Sequence, residues 1–360
     1  MEFPPAKVFD YLVIGQGVAG SFLARALIER GKRVLVVDDD QRASSSRVAA
    51  GLLNPITGMR LRLAEGTEEV LKNSKALFAK LEAEHGKTLF TPIPIRRIYD
   101  SEKERQLKAS RYESPEYAAL MSEDDVPNGS GTNIADEWGS FVISGGGWVD
   151  LPLLLDLEAT WLRERGALTS GAIDADELEP DGKSGARWKD FRFSGGVIFC
   201  NGYKAGFARY WKWLPWQPAK GEIVDCATDE RTISWILNRG GWAIPLGDGI
   251  WRSGSTWEWK LLDEIPTPEL GGQLKSGLQR FFKKPINAKL VEHRAGVRPC
   301  VRGNHPFCGT HPELPWLHLF SGLGPKGTFW GPTCSALLAD WLCEQKPLPL
   351  RFDLRREVPR

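Results

Sequence analysis

Three features of this 360-residue sequence predict an α/β fold, α+β overall. The chain opens with a strand, a glycine turn, a helix, a strand and an acid. It closes with another strand, glycine turn and helix. Between them a long stretch alternates short strands with turns. The first two features suit a sheet with crossover helices, and the third a mostly antiparallel sheet.

The opening reads residue by residue. Asp10-Tyr11-Leu12-Val13-Ile14 is an apolar run fit for a buried strand. Gly15-Gln16-Gly17-Val18-Ala19-Gly20 follows at once. Phe22, Leu23, Ala26 and Leu27 then recur at helical spacing, and Gly31 is a natural stop. Val34-Leu35-Val36-Val37 is the next strand, closed by Asp38. In that setting the glycine pattern predicts a dinucleotide site. Gly15 permits the tight turn, Gly17 lets backbone approach a pyrophosphate, and Gly20 lets helix and strand pack closely. Amides at the helix start, from Val18 and Ala19 on, face the phosphates. Asp38 can accept hydrogen bonds from a ribose diol.

The fingerprint occurs once, which argues for FAD as the single nucleotide cofactor and against a second, nicotinamide site. The stretch Ser44–Pro55 supports this. Ser45, Ser46 and Arg47 can bond a pyrophosphate. Ala49, Ala50, Gly51 and Leu52 let backbone pass close to a flat ring.

Further along, Glu68–Gly86 is a charged helical stretch, followed by irregular, acidic sequence around Glu123–Asp125. Gly145-Gly146-Gly147 marks a boundary, and Asp150–Gly166 reads as an amphipathic helix. Val197-Ile198-Phe199-Cys200 is a strand ending in the turn Asn201-Gly202. Gly221–Cys226, Trp242–Pro245 and Ile250–Thr256 are strands of the antiparallel region. Leu317-His318-Leu319-Phe320 enters the second glycine turn, Ser321–Thr328. The last helix has Pro332 near its start and Ala336, Leu337, Trp341 and Leu342 as its apolar face. These elements predict a Rossmann-like FAD-binding domain (1–60, 147–205 and 317–346) interleaved with a substrate domain (61–146 and 206–316). Residues 347–360, rich in proline and arginine, are expected as a surface tail.

Composition narrows the function. A formal net charge of +1 gives no overall electrostatic case for nucleic acid or membrane as partner. No apolar run reaches the roughly 18 residues of a membrane span, and the first residues carry no signal-peptide pattern. Six scattered cysteines, none in C-x-x-C, read as free thiols of a cytoplasmic protein. The five histidines show no metal-ligand spacing, so no metal is expected. Fifteen tryptophans exceed what is usual; most suit cores, and some could line a pocket for a cationic amine.

Seven patches, in order, resemble the D-amino-acid oxidase superfamily, in particular its glycine oxidase and sarcosine oxidase branch. They are the fingerprint with Asp38; Ser44–Pro55; Gly147-Trp148-Val149-Asp150; Cys200-Asn201-Gly202; Ile244-Pro245 with Gly254-Ser255-Thr256; Gly296-Val297-Arg298-Pro299 with His305-Pro306; and Ser321–Thr328. The resemblance implies that Asn201, Gly202, Gly322, Gly324, Lys326, Gly327 and Thr328 contact the flavin. It implies that Arg298 grips a substrate carboxylate through two parallel donors, with Arg302 a nearby rival. It puts Lys326 at the flavin pyrimidine edge, where positive charge stabilises the reduced form, and Trp242 beside the substrate. Pro325 stands where relatives often have histidine, and Asn201 where threonine is usual. No cysteine falls at the position of covalent attachment, so FAD is expected to be non-covalent.

The activity so implied is oxidation of a C–N bond of a small amine or amino acid by hydride transfer to flavin. The imine hydrolyses, and dioxygen or another acceptor reoxidises the cofactor. Two alternatives stand beside it. One is the FAD half of the bifunctional tRNA wobble-uridine modification enzyme, for which Arg60–Arg62 could supply a local basic patch. The other is an FAD-binding subunit that passes electrons to a partner protein.

Overall fold

A computed structural model describes residues 7–40, 44–126 and 132–358. The chain forms two compact units. The first comprises Met1–Arg47, Leu151–Ala219 and Val297–Arg360; the second comprises Val48–Asp150 and Lys220–Gly296.

The first unit is built on a six-stranded sheet. Its order is Leu168–Ser170, Val34–Asp38, Tyr11–Ile14, Val197–Phe199, Leu317–Ser321 and Phe307–Thr310. All pairs are parallel except the last, which is a hairpin. The central strands are fully buried, as their unbroken apolar runs require. Val18–Glu29, Leu151–Glu164 and Gly327–Glu344 are its long helices. Arg25 of the first grips Glu158 of the second through two bonds of 2.7 Å, with its guanidinium 4.0 Å from the Trp161 ring. Both charges are buried; removing one partner would cost roughly 3–5 kcal/mol. A four-stranded sheet, Glu179–Asp181 to Phe191–Phe193 with Lys7–Phe9 at its edge, completes the unit.

The second unit centres on a seven-stranded sheet. Its order is Lys289–Arg298, Ala219–Ala227, Ile250–Gly254, Trp242–Gly247, Ile236–Asn238, Ile95–Ile98 and Ser140–Ile143. Ile236–Asn238 runs parallel to Ile95–Ile98; its other neighbour and the pairs at Ile250–Gly254 are antiparallel. Strand alternation sends Val224, Cys226, Ala243 and Trp251 into one core. Ile95, Ile236 and Ile244 enter another. A three-stranded sheet joins Leu52–Leu53, Gly147–Val149 and Phe90–Thr91.

The structure departs from the sequence-based expectation in five places. Residues 48–60 lie in the second unit, because Leu53 pairs with Gly147. Residues 206–219 and 297–316 lie in the first, where Tyr210, Trp211, Leu214 and Trp316 enter the core. The tail is not a surface tail: Phe352 and Leu354 are buried, and Cys308 donates its amide to the Phe352 carbonyl at 2.8 Å. The last helix turns a different face inward. It starts at Gly327, and Cys334, Ser335, Leu338, Ala339 and Leu342 are buried while Ala336 is exposed. A helix Pro268–Leu278 also interrupts the predicted strands. No helix of the described residues is long and apolar enough to cross a membrane.

Candidate active site

In the first unit residues of five of the sequence patches meet. The strand Tyr11–Ile14 ends at Gly15, and the helix begins at Val18 with Gly17 as its cap. Gly17 has no side chain to cap the helix, so its first amides look outward. Val18 donates to Ser46 Oγ at 3.1 Å, while among the described residues the Ala19 and Gly20 amides have no acceptor. A Cβ on Gly20 would run into the Gly15 carbonyl oxygen, and one on Gly17 would sit 2.9 Å from Ser46 Oγ. Asp38 Oδ2 accepts from the Gln16 amide at 2.6 Å, and Oδ1 from the Asp40 amide at 2.9 Å. A carboxylate has about four acceptor positions, so two remain for a diol.

The other patches of this unit close around that turn. A Cβ on Gly15 would lie 3.1 Å from Asn201 Cα. Asn201 Oδ1 is buried with no hydrogen-bond partner among the described residues. Ser321 Oγ donates to the Gly202 carbonyl at 3.0 Å, tying it to the final turn. Gly322 and Gly324 have φ of 78° and 52°, and the Gly324 amide donates to the Pro299 carbonyl at 3.1 Å. That bond brings Arg298 and Cys300 to the same turn. Burial pushes the Arg298 guanidinium below its usual pKa and the Cys300 thiol up to about 11. Arg302, by contrast, is exposed.

Lys326 caps the last helix, ahead of Gly327 and the buried Thr328. Its ammonium lies 5.8 Å from the Phe329 ring, and among the described residues it has no carboxylate partner. Burial lowers its pKa. Arg47 is committed elsewhere, to Asp156 at 2.7 Å, and Ser45 opens its short helix. Pro325 is exposed.

In the second unit, Ala49, Ala50, Gly51 and Leu52 run beside Trp148. Gly51 has φ 74°, and a Cβ there would overlap the Val149 carbonyl oxygen and lie 3.2 Å from Trp148 Nε1. Ala50, Leu52, Trp148 and Trp242 all pack on the core containing Ile95 and Ile244. Trp242 is half-buried, its ring filling the space beside Gly254.

Three charged residues on this sheet escaped the sequence reading. Arg252 grips Asp225 through two bonds of 2.8 Å, and Arg294 reaches the same carboxylate at 3.0 Å. The available signal was charge inside strand runs otherwise apolar. Trp148 was visible as part of a motif but not as a contact.

Comparison with known proteins decides the family. The family model described as FAD dependent oxidoreductase (DAO) matches residues 10–341. The chain belongs to this family. It is an FAD-dependent oxidoreductase, and the residues present fit that cofactor. Uncommitted amides at Ala19 and Gly20 suit a pyrophosphate, Asp38 suits a ribose, and the orphaned Asn201 Oδ1 awaits a donor.

Similar proteins span several activities. The chain is 31% identical to a glycine oxidase of Pseudomonas aeruginosa over 137 residues, 38% of this chain and 37% of that protein. It is 23% identical to the tRNA 5-methylaminomethyl-2-thiouridine biosynthesis bifunctional protein MnmC of Aeromonas hydrophila, over 98% of this chain and 58% of that one. The chain thus spans a little over half of the bifunctional protein, and the glycine oxidase match under two fifths of its relative. Among solved structures, glycine oxidase from Geobacillus kaustophilus superposes with a TM-score of 0.80 at 19% identity, covering 98% of each chain. That likeness establishes the fold.

Proposed function

We propose that this family member oxidises the C–N bond of a small amine or amino acid, with non-covalently bound FAD as the acceptor. The observation that carries the reading is Arg298. A mostly buried guanidinium at the end of a ten-residue strand, joined through Pro299 to the final glycine turn, suits a substrate carboxylate. The 31% match to a glycine oxidase supports the same class.

When bound, FAD supplies a two-electron acceptor. The chain's own residues hold and polarise. Gly15, Gly17 and Gly20 shape the nucleotide turn, and Asp38 accepts from the ribose. Arg298 holds the substrate carboxylate. Lys326 and the start of the helix Gly327–Glu344 favour negative charge on the cofactor. The amine enters as the free base, so no protein base is required.

Mixing the yellow holoprotein with a panel of amines and amino acids under anaerobic conditions tests this. Bleaching by carboxylate-bearing amines is expected; bleaching only by amines without a carboxylate contradicts it. One observation favours a second reading, oxidation of a modified tRNA: the match to the bifunctional tRNA protein runs along nearly the whole chain. That reading requires tRNA binding that weakens steeply with salt.

A further inference from the structure

Four of the twelve large apolar side chains exposed among the described residues fall in one short stretch of the second unit. They are Trp257, Trp259, Leu261 and Ile265, exposed by 45%, 61%, 57% and 70%. Singly exposed apolar residues need no explanation, but a group this dense does. The Trp257 and Trp259 rings stack, with centroids 6.0 Å apart and planes 22° apart, so these two form one surface.

The backbone beneath them is clamped. The stretch connects the strand Ile250–Gly254 to the helix Pro268–Leu278, and both of its ends are fixed to the fully buried Glu222. The Glu222 amide donates to Thr256 Oγ1 at 2.9 Å. At the other end the Thr267 amide and hydroxyl donate to the two Glu222 carboxylate oxygens at 3.0 and 2.8 Å. Between them the buried Lys220 ammonium donates to Asp263 Oδ1 and to the Ile265 carbonyl, both at 2.6 Å. The Lys220 and Glu258 backbones exchange amide-to-carbonyl bonds of 2.8 and 3.0 Å. Two buried charges thus hold a compact loop whose ends lie close together. Apolar side chains displayed on a fixed backbone cost little to order on binding, and tryptophan is enriched where binding energy concentrates.

The order of side chains names the occupant. Trp257-Glu258-Trp259-Lys260-Leu261 reads apolar, charged, Trp259, charged, apolar from either end, with the two charges opposite in sign. Two copies set antiparallel about a two-fold axis at Trp259 place Glu258 opposite Lys260 and Trp257 opposite Leu261, each contact occurring twice. The Lys260 amide donates to Glu258 Oε1 at 2.6 Å and holds that carboxyl below its usual range. A carboxylate has about four acceptor positions, so it can still take an ammonium. Lys260 is exposed and has no carboxylate partner among the described residues. The four apolar side chains offer about 500 Å² of surface, and two copies covering it reach the roughly 1,000 Å² that a specific interface needs. An anionic lipid surface is disfavoured, since Glu258, Asp263 and Glu264 outnumber Lys260 on the loop.

We propose that the loop from Thr256 to Thr267 is a self-association surface, covered by a second copy of this chain through a two-fold contact centred on Trp259. The inference stands apart from the proposed function. Sedimentation velocity of the holoprotein over a range of concentrations tests it. Wild type should sediment as a dimer that dissociates on dilution. Trp259→Ser should weaken dimerisation by about 100-fold or more, because the residue is lost from both copies. Lys260→Glu sets two acids together and should give a monomer, as should Glu258→Lys, which sets two lysines together. An equimolar mixture of these two charge variants should recover the dimer, because every pair is then opposite in sign. Bound FAD absorbance checks that each variant is folded; Trp259→Ser and Lys260→Glu alter exposed side chains and carry the test alone if Glu258→Lys does not fold. A monomer at every concentration, or a dimer undiminished by Trp259→Ser and Lys260→Glu, overturns the proposal. So does a monomer that floats with phosphatidylcholine vesicles through Trp259, which would make lipid the occupant.

Discussion

The nucleotide turn of the first unit and the sheet face of the second are built in opposite ways. The turn comes from one continuous stretch: Gln16 meets Asp38, and Val18 meets Ser46, all within the first 47 residues of the chain. The sheet face draws Asp225, Arg252 and Arg294 from three strands and Trp148 from a fourth. A site made of one local stretch carries its chemistry in residue order, because backbone conformation dictates which residue type stands where. A site made of strand registers does not, because register depends on the whole sheet.

The largest expected effect breaks the turn. Gly17→Val places carbon against Ser46 Oγ and in the phosphate approach. A cost of roughly 3 kcal/mol would weaken FAD binding about 100-fold. Absorbance of bound FAD per protein measures this. Normal FAD content in this variant would mean that the turn does not hold the pyrophosphate.

In the second unit the corresponding change acts on stability. Gly51→Ala forces an L side chain to φ 74° and against the Val149 carbonyl. A loss of roughly 2–5 kcal/mol is expected by denaturant unfolding. If stability holds and only FAD content falls, Gly51 serves the cofactor rather than the sheet.

Arg298→Ala should raise the substrate KM by about 10- to 100-fold with FAD content unchanged. Steady-state kinetics matching wild type would remove Arg298 from substrate binding.

The smallest effect concerns Lys326. Burial lowers its pKa in the fold, so the folded state disfavours the ammonium. Below that folded pKa the charge costs stability; the cost fades as pH rises through it. Lys326→Met should therefore raise the apoprotein melting temperature by a few degrees at neutral pH. In the holoprotein the same change should lower the flavin midpoint potential and weaken sulfite binding. An unchanged potential, measured by redox titration, would place the ammonium away from the cofactor.

The same contrast explains what could be read in the sequence. The strand Tyr11–Ile14, its turn and the helix after it are legible because periodicity and glycine placement are local signals. The final helix was legible as a helix, yet its buried face was misassigned. Its face is fixed by where it starts, at Gly327, and by neighbours that periodicity does not name. Phe352 and Leu354 looked like tail residues because two apolar side chains among prolines and arginines carry no period. The pairing of Arg294 with Asp225 was invisible, since only the fold brings the two together.

The central claim is oxidation of a carboxylate-bearing amine by this FAD-dependent oxidoreductase. The most direct measurement is a single anaerobic turnover with product analysis. Holoprotein is mixed with excess amino acid, and carbonyl product and free amine or ammonia are counted per FAD. The account predicts full bleaching with one carbonyl product and one amine released for each FAD. Full bleaching by chemical reductant, but none by any carboxylate-bearing amine, would contradict it.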